Sequence, residues 1–423
     1  MIKPNEAEIM APVGNYESLA AAINAGADSV YFGIMHLNMR SKAANNFAIE
    51  DLKKIVEICK KNNVKTYLTV NTLLYDHDVT FMKKIIDAAL DNKIDAIIAF
   101  DFACVTYCNE IGIPVHLSVQ FSISNYEAVK FFAKFTNRIV LARELTLAQI
   151  KDIYTKIRKN NLVGNEGRLM EIEAFVHGAL CVAQSGRCYM SLYTYNSSAN
   201  RGACRQNCRA KYKITDVDTG KELVIDNHYV MSAADICTID FLDKLLDAGI
   251  KVMKIEGRGR SPEYVDTVVR TYKQALQDIQ NNSYSKEKIN DYFKKLKRVF
   301  NRKLSKGNYY LGQEVGSYSD TYGSKATEKK EYIGRVTHYF SNINVAEIKC
   351  DSGKISIDDE YFIIGATTGV LRDKIHEIRV NNQKKNSAVK GETFSIKVSK
   401  KVRKNDKLYR IIKLNKHENS TKN

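Results

Sequence analysis

Tryptophan is absent and proline nearly so, with four in 423 residues, and neither shortage excludes a function. Other absences do exclude. No apolar run approaches the roughly 18 residues a membrane helix needs, which rules out a helical membrane protein. The N-terminal MIKPNEAEIMAPV lacks the basic-then-apolar pattern of an export signal, so a cytoplasmic location is expected. No G-x-S-x-G elbow and no H-E-x-x-H motif occurs, which removes the usual signatures of serine hydrolases and zinc proteases. The C-x-x-C pair is also missing, and with it the thioredoxin-type redox motif and the usual spacing of structural zinc sites.

What is present is a soluble, globular composition, 44% hydrophobic and 27% charged, with a formal charge of +17. That charge suits a polyanionic partner such as RNA. It equally suits a lysine-rich, solvated surface. At this length one core does not account for the chain, whereas a barrel of about 250 residues plus a second domain does.

Apolar, β-branched runs alternate with helical periodicity from the start, the pattern of repeated βα units. Strands are expected at Glu8–Val13, Ser29–Gly33, Lys65–Asn71, Ala96–Asp101, Pro114–Gln120, Arg138–Arg143, Met170–Val176 and Lys251–Gly257, with amphipathic helices between them. Eight such units predict a TIM-like (β/α) barrel over residues 1–280. About 75 residues separate the seventh strand from the eighth, far more than an ordinary barrel connection. An insertion over residues 177–250 is therefore expected. Because the connection follows a strand, it lies over the C-terminal mouth where such barrels carry their sites.

Ser261 and Pro262 read as the cap and first turn of a further helix, and residues 281–330 as a basic helical connector. From residue 331 to 415 the period shortens to alternating runs separated by polar turns, predicting a small C-terminal all-β barrel domain. Residues 416–423 read as a disordered tail. The lysines of KVSKKVRKNDKLYRIIK would track RNA phosphates or guard an edge strand against aggregation.

The insertion holds five of the nine cysteines: Cys181, Cys188, Cys204, Cys208 and Cys237. Thiols gathered at short irregular intervals in a chain without an export signal point to a metal or iron–sulfur site more than to disulfides. Some being buried small hydrophobes is the competing reading, and the one adopted for Cys59, Cys104, Cys108 and Cys350.

Strand ends supply polar groups expected around a substrate: Asn71, Asp101, Gln120, Arg143 with Glu144, His177, and Glu256 with Arg258. The arginines, with Arg40, are candidates for gripping a small carboxylate or phosphate bidentately. Glu173, His177 and Glu256 are candidates for proton handling, against a structural ion pair for Glu173 and a simple hydrogen bond for His177.

The run E-A-F-V-H-G-A-L-C followed by S-G-R-C-Y-M-S resembles the signature of the peptidase U32 family. Ala11–Gly14 (A-P-V-G), Arg143–Leu145 (R-E-L), N-R-G-A-C and Lys254–Arg258 (K-I-E-G-R) resemble further family segments, over roughly the first 320 residues. The family was named for a collagenase-like protease activity, but its better understood members are hydroxylases. These bind a 4Fe-4S cluster and act on tRNA wobble uridine, ribosomal RNA or the ubiquinone ring.

Length and a single C-terminal β domain make the chain most similar to the members that form 5-hydroxyuridine in tRNA and depend on prephenate. Carried over by motif, the resemblance implies cluster ligation by Cys181, Cys188, Cys204 and Cys237. Cys208 matches a second family cysteine outside that set. The expected activity is hydroxylation of tRNA, with tRNA and an anionic co-substrate as partners. A peptidase and a non-catalytic RNA-binding iron–sulfur protein are the alternatives, and the oligomeric state stays open.

Overall fold

The computed structural model describes residues 1–42, 46–184, 186–213, 215–220, 231–307, 309–313, 317–320 and 323–414, without the side chain of Tyr309. The expected tail at 416–423 lies outside the described residues.

Eight parallel strands form a closed ring. Seven follow one another: β1 (Glu8–Pro12), β2 (Ser29–Phe32), β3 (Lys65–Val70), β4 (Ala96–Ala99), β5 (Val115–Leu117), β6 (Arg138–Val140) and β7 (Glu171–Gly178). A short strand β8 (Asp235–Cys237) comes next, and β9 (Ile250–Ile255) closes the ring by pairing with both β1 and β7. All eight barrel strands stand where the β-branched runs place them.

The crossovers carry α1 (Tyr16–Asn24), α2 (Leu52–Lys61), α3 (Asp76–Asp91), α4 (Phe102–Ile111), α5 (Tyr126–Phe132) and α6 (Leu147–Lys159). Their starts have local chemical causes. Asn15 accepts from the Ser18 amide, Asn125 from Ala128 and Thr146 from Gln149, satisfying amides that have no partner in a first turn.

The insertion leaves at the end of β7 and includes α7 (Met190–Tyr195). It returns as β8, which runs antiparallel to the tip of β7 with His177 opposite Cys237 and Gly178 opposite Ile236. Gly178 has φ +107°, and a Cβ there would meet the Glu256 carbonyl oxygen at 2.7 Å, so the departure point needs glycine. Over the mouth the insertion is tied down at several places. The Leu73 amide donates to the Asn200 carbonyl, Arg201 pairs with Asp78, and Gln184 donates to Ser122 at 2.7 Å.

Helix α8 (Leu242–Asp247) leads into β9, and α9 (Pro262–Gln280) follows it with Pro262 in the first turn. Ser261 occupies the cap position but its side chain makes no capping bond. The connector holds α10 (Lys286–Arg298) and β10 (Leu304–Ser305), which pairs with β8.

The C-terminal unit is all-antiparallel. It comprises β11 (Glu328–Phe340), β12 (Val345–Cys350), β13 (Lys354–Ser356), β14 (Glu360–Gly365), β15 (Gly369–Lys374), β16 (Ile378–Val380), β17 (Gln383–Lys385), β18 (Ser387–Val389), β19 (Thr393–Lys397) and β20 (Lys407–Lys413). Eight of these form one sheet in the order β15-β14-β20-β11-β12-β19-β16-β17, and β13 pairs with β18 as a ribbon. Among the described residues the ladder ends at β15 and β17 rather than closing on itself. The unit docks on α1, where Ala21 packs with Phe362, Ile364, Val370 and Ile411. No helix among the described residues is long and apolar enough to cross a membrane.

Candidate functional site

The barrel interior is layered by charge. At the strand starts, Arg138 donates to both oxygens of Glu8 at 3.0 and 2.9 Å and to Glu171 at 2.8 and 3.0 Å, while Lys251 pairs with Glu171 at 2.5 Å. These first residues of β1, β6 and β7 close the bottom of the barrel. One layer up, Glu173 and Lys254 form a buried pair at 2.7 Å, with the ammonium 4.5 Å from the Tyr31 ring centroid. Glu173 is therefore the structural ion pair, not a group presented to solvent or to the mouth. Only Lys254 reaches the cavity above.

That cavity, about 400 Å³, fills the mouth under the insertion. Among the described residues its walls carry Arg40, Arg143, Arg209, Lys254, Arg258, Arg260 and Arg302, with Glu256 as the one carboxylate. Arg258 is buried and held by Thr69 at 2.9 Å, and burial pulls its pKa down to about 10. A Cβ on Gly33 would sit 2.5 Å from the Arg258 guanidinium and 2.7 Å from the Asn38 side chain, so this close approach also requires glycine. Glu256 accepts from Arg40 at 3.0 Å and from the Ala179 amide at 3.4 Å. Burial pushes its pKa up, but Arg40 and Arg260 outweigh it and hold the carboxyl below its ordinary value. Asn71 donates to Gln120 at 3.2 Å, fixing two amides along the wall.

Of the polar residues expected at the site, Arg40, Asn71, Gln120, Arg143, Glu256 and Arg258 thus converge on one cavity. Others do not. Asp101 accepts from the Leu74 and Ala103 amides and caps α4. Glu144 is exposed and lines a smaller adjoining cleft. His177 is buried against Tyr272, 3.4 Å from its hydroxyl, and burial lowers its pKa to about 3. A neutral ring turned away from the cavity is the hydrogen-bonded histidine, not a base at the mouth. The causes differ: Glu173 faces inward but lies one layer below the cavity, and His177, of the same parity, is turned out by the register irregularity between Phe175 and His177.

Cys181, Cys188, Cys204 and Cys208 line the cavity. Burial raises the Cys208 pKa, partly offset by Arg209, with the three other thiols close enough to contribute. Cys237 stands apart in β8, 1% exposed, with the Tyr272 hydroxyl 3.9 Å from its sulfur and its pKa pushed up to about 12 by burial. The structure therefore brings three of the four expected ligands together, with Cys208 beside them in place of Cys237. Among the described residues no group of three or more His, Cys, Asp or Glu is arranged to hold a metal ion. The donor chemistry fits an iron–sulfur group, since four thiols on irregular loops open to one cavity; the sulfurs would have to draw together around it.

Arg209, Lys254, Arg260 and Arg302 were not expected. Lys254 and Arg260 lie within two residues of K-I-E-G-R or inside it, so strand-end position could have found them. Arg209 and Arg302 are brought in by the insertion and the connector, which carry no periodic signal. Arg209 donates to the Leu180 carbonyl at 2.6 Å and to Ala233, clasping both ends of the insertion.

A parallel barrel whose mouth holds a cationic cavity edged with thiols defines the class of site. Residues 14–318 match the model of peptidase family U32, and the chain belongs to that family. It is 53% identical to a protein of Porphyromonas gingivalis named collagenase, over 97% of this chain and 99% of that one. It is 35% identical to tRNA hydroxylation protein P1 of Bacillus subtilis, over 64% of this chain and 63% of that one. It is also 34% identical to a 23S rRNA 5-hydroxycytidine synthase of Escherichia coli, over 66% of this chain and 40% of that protein.

Proposed function

We propose that the protein hydroxylates a pyrimidine in RNA, with tRNA wobble uridine as substrate, 5-hydroxyuridine as product and a prephenate-like dicarboxylate as co-substrate. The observation that carries this reading is the cavity wall, where Arg143, Arg209, Arg258 and Arg260 stand in excess over the pairs Arg40–Glu256, Lys254–Glu173 and Arg302–Asp235. Arginines in excess of their partners suit a nucleotide phosphate and a dicarboxylate, which they grip bidentately. The relatives named for tRNA and rRNA modification support the same reading.

In this reading Arg258, anchored on Thr69, and Arg143 hold the anionic co-substrate, while Lys254 on the floor is neutralised by Glu173. Arg40 keeps Glu256 ionised, so at neutral pH Glu256 accepts a proton or a hydrogen bond and does not donate one. Asn71 and Gln120 offer amide edges to the base, which must leave its stack to enter. Cys181, Cys188 and Cys204, with Cys208 as fourth by position, would hold a 4Fe-4S cluster. When bound, that cluster supplies electron transfer at the cavity wall.

The second reading is a collagenase-like peptidase, favoured by the name of the relative at 53% identity. Its nucleophile would be one of the cavity thiols, yet His177, the histidine at the end of β7 where the insertion leaves, is buried against Tyr272. Purification without oxygen separates the two: brown protein with iron and sulfide near four per chain, inert towards gelatin, is expected. Colourless protein that cleaves gelatin would overturn the proposal.

A further inference from the structure

The insertion has a second feature, on its outer face. From Ala174 to Thr215 the sequence contains six arginines and lysines, four tyrosines and not one aspartate or glutamate. Helix α7 lies in this stretch and turns aromatic rings outward: Tyr189 is 61%, Tyr193 88% and Tyr195 59% exposed. Tyr189 and Tyr193 stand edge to face with centroids 6.3 Å apart. Arg187 and Arg205 are exposed in the same insertion.

The inner side of α7 is fastened. Buried Ser191 donates to Asn207 at 3.1 Å and accepts from the Arg205 amide at 2.9 Å. Met190 lines the cavity. The helix is thus a fixed wall, one side facing the candidate site and the other presenting rings to solvent. Exposed tyrosines need an explanation, because burying a ring is favourable and the chain leaves three uncovered within seven residues.

We propose that Tyr189, Tyr193 and Tyr195, with Arg187 and Arg205, form a stacking platform for unpaired nucleotides of an RNA loop at the rim of the cavity. The inference rests on the RNA-modifying reading above and names how the RNA is held. Aromatic faces stack bases without regard to sequence, and flanking cations meet the phosphates. A protein surface would also welcome tyrosine and arginine. Forty-two residues without a carboxylate, in a chain of formal charge +17, fit a polyphosphate better. Nucleotides stacked on α7 would flank a base turned inward past Met190.

The test is anisotropy of a fluorescein-labelled RNA hairpin with an unpaired loop, compared with the same strand annealed to its complement, using the full chain. Wild type should prefer the hairpin. Tyr193→Ala should weaken hairpin binding roughly tenfold while Tyr193→Phe stays within about twofold, since the ring stacks and the hydroxyl does not. Arg205→Gln should lower the slope of log affinity against log salt by about one. Duplex binding should be unchanged throughout, and matched thermal melts exclude unfolding. Hairpin affinity unchanged in a variant with all three tyrosines replaced by alanine overturns the platform, as does equal loss for hairpin and duplex, or tyrosine-dependent capture of a protein in place of RNA.

The two readings fail separately. If cells still make the hydroxylated base while the triple variant binds hairpin normally, the platform falls and the RNA-modifying reading stands. If the tyrosines govern loop binding but loss of the gene leaves every modified nucleoside in place, the platform stands and the RNA-modifying reading falls.

Discussion

Cys208 and Cys237 show how much one residue's direction decides. The motif resemblance pairs Cys237 with Cys181, Cys188 and Cys204, whereas the fold turns its sulfur toward Tyr272 and sets Cys208 beside the other three. Cys208→Ser is expected to abolish iron binding in protein purified without oxygen. Cys237→Ser should retain iron and lose stability, by roughly 1–3 kcal/mol for a buried polar atom without a full set of partners. Iron analysis and urea unfolding of the two variants read both effects.

His116 offers a pH test away from the thiols. It is buried beside Tyr67, with centroids 4.8 Å apart, and its Nδ1 has no hydrogen-bond partner in the structure. Burial, with Arg138 and Lys254 nearby, holds its pKa well below the ordinary histidine value. A depressed folded pKa means that the unfolded chain takes up the proton first. The stability of the neutral ring is therefore complete above about pH 6.5 and is lost as pH falls below it, by at most about 1.4 kcal/mol per pH unit. His116→Phe should flatten the stability profile between pH 6.5 and 5 in urea titrations.

At the scale of elements, β1, β6 and β7 begin in a charged layer at the bottom of the barrel, and the cations at its mouth have a different job. Arg138 at the start of β6 neutralises Glu8 and Glu171 together. Arg138→Leu would leave buried Glu8 with Lys65 at 3.8 Å in place of its two-pronged partner, while Glu171 keeps Lys251, and is expected to cost about 3–5 kcal/mol, seen as a large fall in Tm. Gly33→Ala should act at the other end. Its methyl would displace the Arg258 guanidinium and Asn38, weakening binding of a dicarboxylate about tenfold or more at modest cost in Tm. Calorimetric titration with prephenate reads the first effect.

The eight barrel strands were legible because period and β-branching announce them. So was the insertion, because 74 residues do not fit one barrel turn. For Glu173 and His177 the structural alternative holds, because neither depth within the barrel nor the register shift before His177 shows in sequence, and for Asp101 a carboxylate at a strand end looks the same whether it caps a helix or lines a cavity. Strand β8 escaped notice because three residues make no period. The cations that complete the cavity, Arg209 and Arg302, come from segments whose placement is set by tertiary contacts alone.

Over the whole molecule, the all-β unit sits on α1 through an apolar contact, Ala21 against Phe362, Ile364, Val370 and Ile411, edged by the Asn24–Thr368 hydrogen bond and the Lys330–Glu263 ion pair. Ala21→Asp should expose trypsin sites between the barrel and β11 while leaving the barrel's own cooperative melt in place, read by limited proteolysis with calorimetry. The arrangement leaves a cationic mouth, a thiol-edged wall and a tyrosine-faced rim on one end of the barrel.

The most direct test of that arrangement's meaning is mass spectrometry of nucleosides from tRNA and ribosomal RNA of cells lacking this gene and any paralogue, complemented with wild type or with Arg258→Ala. The account predicts that 5-hydroxyuridine or a nucleoside derived from it disappears on deletion, returns with wild type and stays low with Arg258→Ala. An unchanged inventory of modified nucleosides across all three strains would contradict it.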